Sequence, residues 1–213
     1  MDKAQVQKAV EELKKYPKRN FSQSYDLIFN LKNLVIKQTP LDFFATLHYP
    51  KGTKLKIAAF VDQQLYDQAT KCCDLVIRES DFQKYAMDKK LSKKLAEEYD
   101  YFIAQSTLMA KVAAAFGKIL GTKGKMPNPK LGCVVPPNAN MDVLVKRLNL
   151  SVRLVSKKGM NLQCMIGKDN QPDAEIIDNI LTVYQTAVKQ LPSEAQNIKN
   201  VQLKLTMSKP VRI

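Results

Sequence analysis

Lys56-Ile-Ala-Ala-Phe-Val61 is a continuous apolar run, and the polar helical stretch Asp62–Lys71 follows it at once. Asp74-Leu-Val-Ile77 repeats the pattern, a long charged helical stretch covers roughly 81–98, and Tyr101-Phe-Ile-Ala104 comes next. Leu108–Leu120 regains helical spacing, and a further helix is read over Asn140–Leu148. Short apolar runs between helices predict strands of a parallel sheet buried on both faces, because the crossover helices of such a sheet cover its two sides. The middle of the chain therefore reads as an α/β unit.

On either side of it the pattern changes. Phe21-Ser-Gln-Ser-Tyr25-Asp-Leu27-Ile-Phe29-Asn-Leu31-Lys32 alternates apolar with polar at period two, the mark of a half-buried strand. Leu41–His48 alternates in the same way and is read as its partner, across a loop containing Pro40. Before them, Val6, Ala9, Val10 and Leu13 make a helical stripe over 3–15 that Pro17 ends. After the middle unit, Val152–Val155 and Asn161–Ile166 read as strands, Pro172–Leu191 as an amphipathic helix, and Asn200–Leu205 as a closing strand. Neither end has enough strands for a sheet of its own. The economical solution is one α+β domain from residues 1–55 and 151–213, interrupted by an α/β domain over 56–150. The fold class is α/β and α+β, a discontinuous two-domain chain with crossings near Thr53–Lys56 and Asn149–Ser151.

The 213 residues are 45% apolar and 25% charged, ordinary globular composition that excludes a disordered or fibrous chain. Thirty-four Lys and Arg against twenty Asp and Glu leave a net charge of +14, which predicts a polyanionic partner. A membrane is the weaker candidate: no apolar run approaches the roughly 20 residues that span a bilayer, and Met1-Asp2-Lys3-Ala4-Gln5 does not start a signal peptide. Cys72 and Cys73 are adjacent, Cys133 and Cys164 are isolated, no C-x-x-C occurs, and His48 is the single imidazole. No metal set or nucleophile–base pair follows from these, and the thiols read as reduced, small apolar residues. No cofactor is expected.

From Tyr101 to Met141 no acidic residue occurs, while Lys111, Lys118, Lys123, Lys125 and Lys130 add positive charge among four glycines and four prolines. Gly117–Pro129 is read as a rigidly punctuated basic loop rather than a solvated helix face. It is not a phosphate-binding loop: Gly124-Lys125 is followed by Met126 instead of a hydroxyl, and Ile119 stands where the first glycine should be. Nor does G-x-G-x-x-G follow Val61, so the Rossmann-like sheet is a scaffold without its phosphate fingerprint. A second acid-free stretch follows Glu194, with Lys199, Lys204, Lys209 and Arg212. In Lys204-Leu-Thr206-Met207-Ser208-Lys209 a strand ends in two hydroxyls and a thioether between lysines, groups suited to phosphate, 2′-OH and an unstacked base or sugar.

Several segments, in order, resemble one family. Ile119-Leu-Gly-Thr-Lys-Gly-Lys-Met-Pro-Asn128 is similar to the glycine–proline signature of the ribosomal protein L-one family, and Arg19-Asn-Phe21-Ser-Gln-Ser24-Tyr-Asp26-Leu-Ile28 and Leu205-Thr206-Met207 to its two RNA-contacting segments. Asp100–Gln105 and Val135-Pro-Pro-Asn138-Ala139 resemble the archaeal branch first and the eukaryotic branch second. The resemblance implies a terminal RNA-binding domain interrupted by a hinged Rossmann-like one. It also implies a structural role at the large subunit's mobile stalk beside the tRNA exit site, and binding to a junction-containing rRNA stem. Exit-site tRNA and the chain's own mRNA, as a target of translational repression, are further implied partners. The candidate RNA-facing set is Arg19, Phe21, Ser24, Lys158, Lys204, Thr206, Met207, Ser208 and Lys209, with Lys118, Lys123, Lys125 and Lys130 as a secondary basic loop. Ser208 stands where the family carries glycine, and would be strained if that position needs positive φ. Thr122 replaces the usual proline after Ile-Leu-Gly. The expected protein is a cytoplasmic, non-enzymatic monomer when free of the ribosome. The alternative is an α/β enzyme using the middle domain for a nucleotide or small molecule.

Overall fold

A computed structural model describes residues 1–17, 19–35, 40–156 and 159–213. The helices are α1 (Lys3–Lys14), α2 (Gln63–Cys72), α3 (Phe82–Met87), α4 (Lys89–Glu98), α5 (Met109–Lys123), α6 (Met141–Leu150) and α7 (Asp173–Gln190). The strands are β1 (Ser24–Leu31), β2 (Leu41–Thr46), β3 (Ile57–Val61), β4 (Leu75–Arg78), β5 (Tyr101–Gln105), β6 (Val134–Val135), β7 (Ser151–Ser156), β8 (Asn161–Lys168), β9 (Ile198–Leu205) and β10 (Val211–Arg212). The chain forms two compact units, Met1–Thr53 with Leu150–Ile213, and Lys54–Asn149.

In the first unit an antiparallel sheet runs in the order β10-β9-β1-β8. The period-two pattern turns Tyr25, Leu27, Phe29 and Leu31 of β1 inward with Val201, Leu203 and Leu205 of β9, against the buried stripes of α1 and α7. The residues between them stay half-exposed on the opposite face. The expected partnership of residues 41–48 with β1 does not form. β1 spends both edges on β8 and β9, and β2 pairs instead with β7, from Leu41↔Ser156 to Thr46↔Ser151. Adjacency in sequence lost to a long-range pairing that completes β1 on two sides.

In the second unit a parallel sheet runs β4-β3-β5-β6, and all five residues of β3 are buried. Phe60 stacks with Phe102 at 5.8 Å and lies tilted against Phe116 at 4.8 Å, and Phe82 meets Phe116 edge-on at 5.7 Å. The charged stretch read as one helix is two. The Asp88 carboxylate accepts from the N–H groups of Lys90 and Leu91 at 2.8 and 3.3 Å, starting α4 afresh. The supposed basic loop is largely helix as well. α5 continues through Lys123 because Val112, Phe116 and Leu120 bury a 3.6-residue stripe, while Gly117 and Gly121 face open space. Gly124, at φ +67°, ends it, with the N–H of Lys125 donating to Leu120 O at 2.9 Å.

Candidate nucleic-acid interface

The end of the first unit's sheet is assembled from three separate segments. β9 ends at Leu205, and the turn after it is fixed by its own side chains. Leu205 N–H donates to Ser208 Oγ at 2.8 Å, Ser208 N–H returns to Leu205 O at 3.1 Å, and Ser208 Oγ donates to Lys209 O at 3.1 Å. The turn is then stitched to the segment before β1. Thr206 Oγ1 accepts from Ser24 N–H at 3.0 Å, and Met207 N–H donates to Gln23 Oε1 at 3.1 Å. Beyond β8, Asp169 N–H donates to Gln23 O at 2.9 Å, and Asp169 Oδ1 accepts from the Ser22 hydroxyl at 2.7 Å.

This lattice holds backbone and small polar groups in place and leaves two apolar side chains outside. Phe21 is 51% exposed and Met207 is 61% exposed. Arg19 and Lys209 are exposed, with no side-chain ion pair or hydrogen bond among the described residues. Lys204 Nζ reaches back to Thr206 O at 3.1 Å. The structure thus brings Arg19, Phe21, Ser24, Lys204, Thr206, Met207, Ser208 and Lys209 to one end of one sheet. Lys158 lies outside the described residues. The Ser208 hydroxyl is engaged within the turn, so it is not a free contact of the kind expected from the sequence. Ser208 is also not at positive φ; among the described residues only Asn33 and Glu194 are, glycines aside. The serine replaces a glycine here without backbone strain.

The sequence reading missed the half-exposed sheet face that leads away from this turn. Cross-strand registers align Met165–Asp26–Lys204, then Gln163–Ile28–Gln202, then Asn161–Asn30–Asn200, with Arg212 beside Gln202. Asn30 Nδ2 donates to Asn200 Oδ1 at 2.6 Å. Five amide side chains at outward positions of three strands were the available signal, since Asn is depleted in strands and needs a reason to be there. Burial pushes the Asp26 carboxyl above its ordinary range, against the opposing pull of Lys204.

The secondary basic set is not a loop and is partly spent. Lys118 and Lys123 lie on α5, Lys123 pairs with Glu97 at 2.8 Å, and Lys125 Nζ donates to Tyr99 O at 2.7 Å. Lys118 and Lys130 remain exposed. The point in the parallel sheet where strand order reverses, between β3 and β5, is where a ligand would enter such a fold. There the buried Gln105 side chain accepts from Asp62 N–H at 3.0 Å. No group of three or more metal-ligating side chains is found among the described residues. His48 Nδ1 sits 2.7 Å from Asp178 on the surface of the first unit. No described helix is long and apolar enough to cross a membrane.

A basic, discontinuous two-unit α/β protein, with exposed aromatic, thioether and cationic groups on a stitched sheet end, belongs to the class that binds nucleic acid. The family model described as the Ribosomal protein L1p/L10e family matches residues 13–209, and the chain belongs to that family. It is 37% identical over 208 residues to the large ribosomal subunit protein uL1 of Nanoarchaeum equitans, covering 96% of this chain and 97% of the relative. It is 35% identical over 216 residues to the protein of that name in Methanothermococcus thermolithotrophicus, covering 100% and 99%. These relatives fit the archaeal branch. The family is one of ribosomal proteins and not of enzymes.

Proposed function

We propose that this chain is a structural protein of the large ribosomal subunit that holds an rRNA stem at the mobile stalk, and that it catalyses no reaction. The observation that carries the reading is the turn Thr206–Ser208. It is bonded to residues 23 and 24 so that Met207 and Phe21 stand exposed beside Arg19 and Lys209, which have no ion-pair partner among the described residues. Aromatic and thioether surfaces beside cations suit unstacked bases and sugars, and the amide-lined sheet face supplies donors and acceptors for 2′-OH groups. The same surface would take a stem of like shape in the chain's own message, which is how repression would operate. Exit-site tRNA is the further partner that the stalk position implies, and the free protein acts as a monomer. A gel shift of the purified protein with large-subunit rRNA fragments tests the reading. One junction-containing fragment should bind at least about 10³-fold more tightly than unrelated duplex, the low end of specific recognition. Equal affinity for both would sink it.

A further inference from the structure

Beside the stitched turn lies a cavity of about 390 Å³, set between the end of α1, the segment before β1 and the turn after β8. The buried Leu13, Tyr25 and Leu205 form its floor, and the half-buried Tyr16 is the aromatic wall left open. Its polar atoms have both signs. Gln23 is 4% exposed, and because its Oε1 accepts from Met207 N–H, the atom left over must be the Nε2 donor, which has no partner among the described residues. Asp169 Oδ1 is taken by the Ser22 hydroxyl, which leaves Oδ2 as an acceptor. Arg19, without an ion-pair partner among the described residues, also lines the cavity. We propose that this cavity receives the base of one unpaired nucleotide of the bound RNA, with that nucleotide's phosphate toward Arg19.

The chemistry matches term by term. A nucleobase is a flat apolar body, which aromatic and aliphatic walls accept, and its edge always sets a donor near an acceptor, which Asp169 and Gln23 complement. The volume falls within the range of pockets that enclose small molecules. The occupant is RNA rather than a free nucleotide because the cavity and the exposed turn share a residue: Gln23 lines the one and positions Met207 of the other. A strand of RNA lying against Met207 would thus have the cavity mouth next to it. The inference rests on the rRNA-binding reading above.

The test uses the full chain with the large-subunit rRNA fragment it binds, probing the Watson–Crick edges of unpaired bases with dimethyl sulfate for adenine and cytosine, kethoxal for guanine and a water-soluble carbodiimide for uracil. One unpaired base should lose reactivity by about fivefold or more on binding. Asn170 is an exposed residue of the cavity lining, and Asn170→Trp, which adds bulk there, should restore that base's reactivity and weaken the complex by about tenfold, the size of one lost stacking contact. Arg19→Ala should weaken it in the same direction, and circular dichroism confirms that each variant is folded. If the fragment binds but no unpaired base changes reactivity, the cavity assignment is overturned while the rRNA reading stands. The assignment is likewise overturned if the base stays protected in folded Asn170→Trp, or if AMP or GMP alone fills the cavity at micromolar concentration. If no rRNA fragment binds specifically, both fall together.

Discussion

Met207 separates a structural from a recognition role more sharply than any other residue. Its backbone N–H is bonded to Gln23, but its side chain is 61% exposed, so truncation removes little buried area. Met207→Ala should leave the melting temperature nearly unchanged, where a core methionine would cost about 2–5 kcal/mol. It should weaken specific RNA binding by about 1–3 kcal/mol with the salt dependence unaltered, because no charge is lost. Melting and titration on the one variant check this; a collapsed melting temperature would return Met207 to the core. The cysteines make a different residue-scale prediction. Burial lifts Cys164 and Cys73 from an ordinary 9.0 to about 12, and lifts Cys133 to about 11. Burial, helped by the Asp142 carboxylate, lifts Cys72 to about 11. Tyr25 rises to about 12, first through burial and then through Asp173 and Asp169. Each folded value lies above the unfolded one, so the stability these groups confer is complete below the unfolded value and lost as the pH climbs toward the folded one. Melting temperatures should therefore fall progressively above about pH 9, and Cys164→Ala should shallow that fall. A flat profile through about pH 10.5 would refute the burial argument.

At the scale of elements, cationic strand ends and helix caps make separable contributions. Lys204 and Lys209 flank the turn that closes β9. If four to six phosphates are neutralised, log K should fall with log salt at a slope of roughly −3 to −5. Lys209→Ala should flatten the slope by about one unit, and Lys204→Ala by about one unit or less, since Lys204 also bonds to Thr206 O. A slope near zero for the intact chain would remove the electrostatic account of its +14 charge. The break between α3 and α4 is local in origin. Asp88→Ala frees two N–H groups of α4 and should destabilise the middle unit by about 1 kcal/mol, a fall of about 4–8 °C in the melting temperature of a unit of that size. RNA binding should not change, since Asp88 is remote in sequence from every residue of the stitched turn and lies in the other unit.

For the whole molecule, the insertion leaves and re-enters the first unit at neighbouring strands. Leu47 N–H donates to Leu150 O at 2.8 Å, and Thr46 is in register with Ser151. A short linker should therefore join residues 1–53 to 150–213 without disturbing either strand. All the residues of the stitched turn lie in that unit, so the joined protein should fold and keep specific rRNA binding, while residues 54–149 alone should bind at the non-specific level. Titration of both pieces against one fragment decides it. Specific binding by 54–149 and none by the joined unit would move the site to the other domain.

What the amino-acid sequence determined by itself was whatever depends on short-range periodicity and chemistry. Alternation made β1 and β9 half-buried strands, continuous apolar runs made β3 and β5 fully buried ones, and the helical stripe of Pro172–Leu191 became α7 nearly to its ends. The hydroxyl–thioether–hydroxyl run and Phe21 were nameable from side-chain type, which is independent of pairing, and the structure brings them to one end of one sheet. Tertiary structure alone decided what depends on distant partners. β2 joined β7 rather than β1 because register and edge completion act between segments more than 100 residues apart. The glycine-rich stretch stayed helical because Phe116 and Leu120 gained a core to pack in, which outweighs the weak helix propensity of Gly117 and Gly121. The short strands β6 and β10 have too few residues to show a period, and the cavity behind Met207 exists only where three segments meet. Local pattern specifies which face of an element is apolar; only packing specifies which other element covers that face.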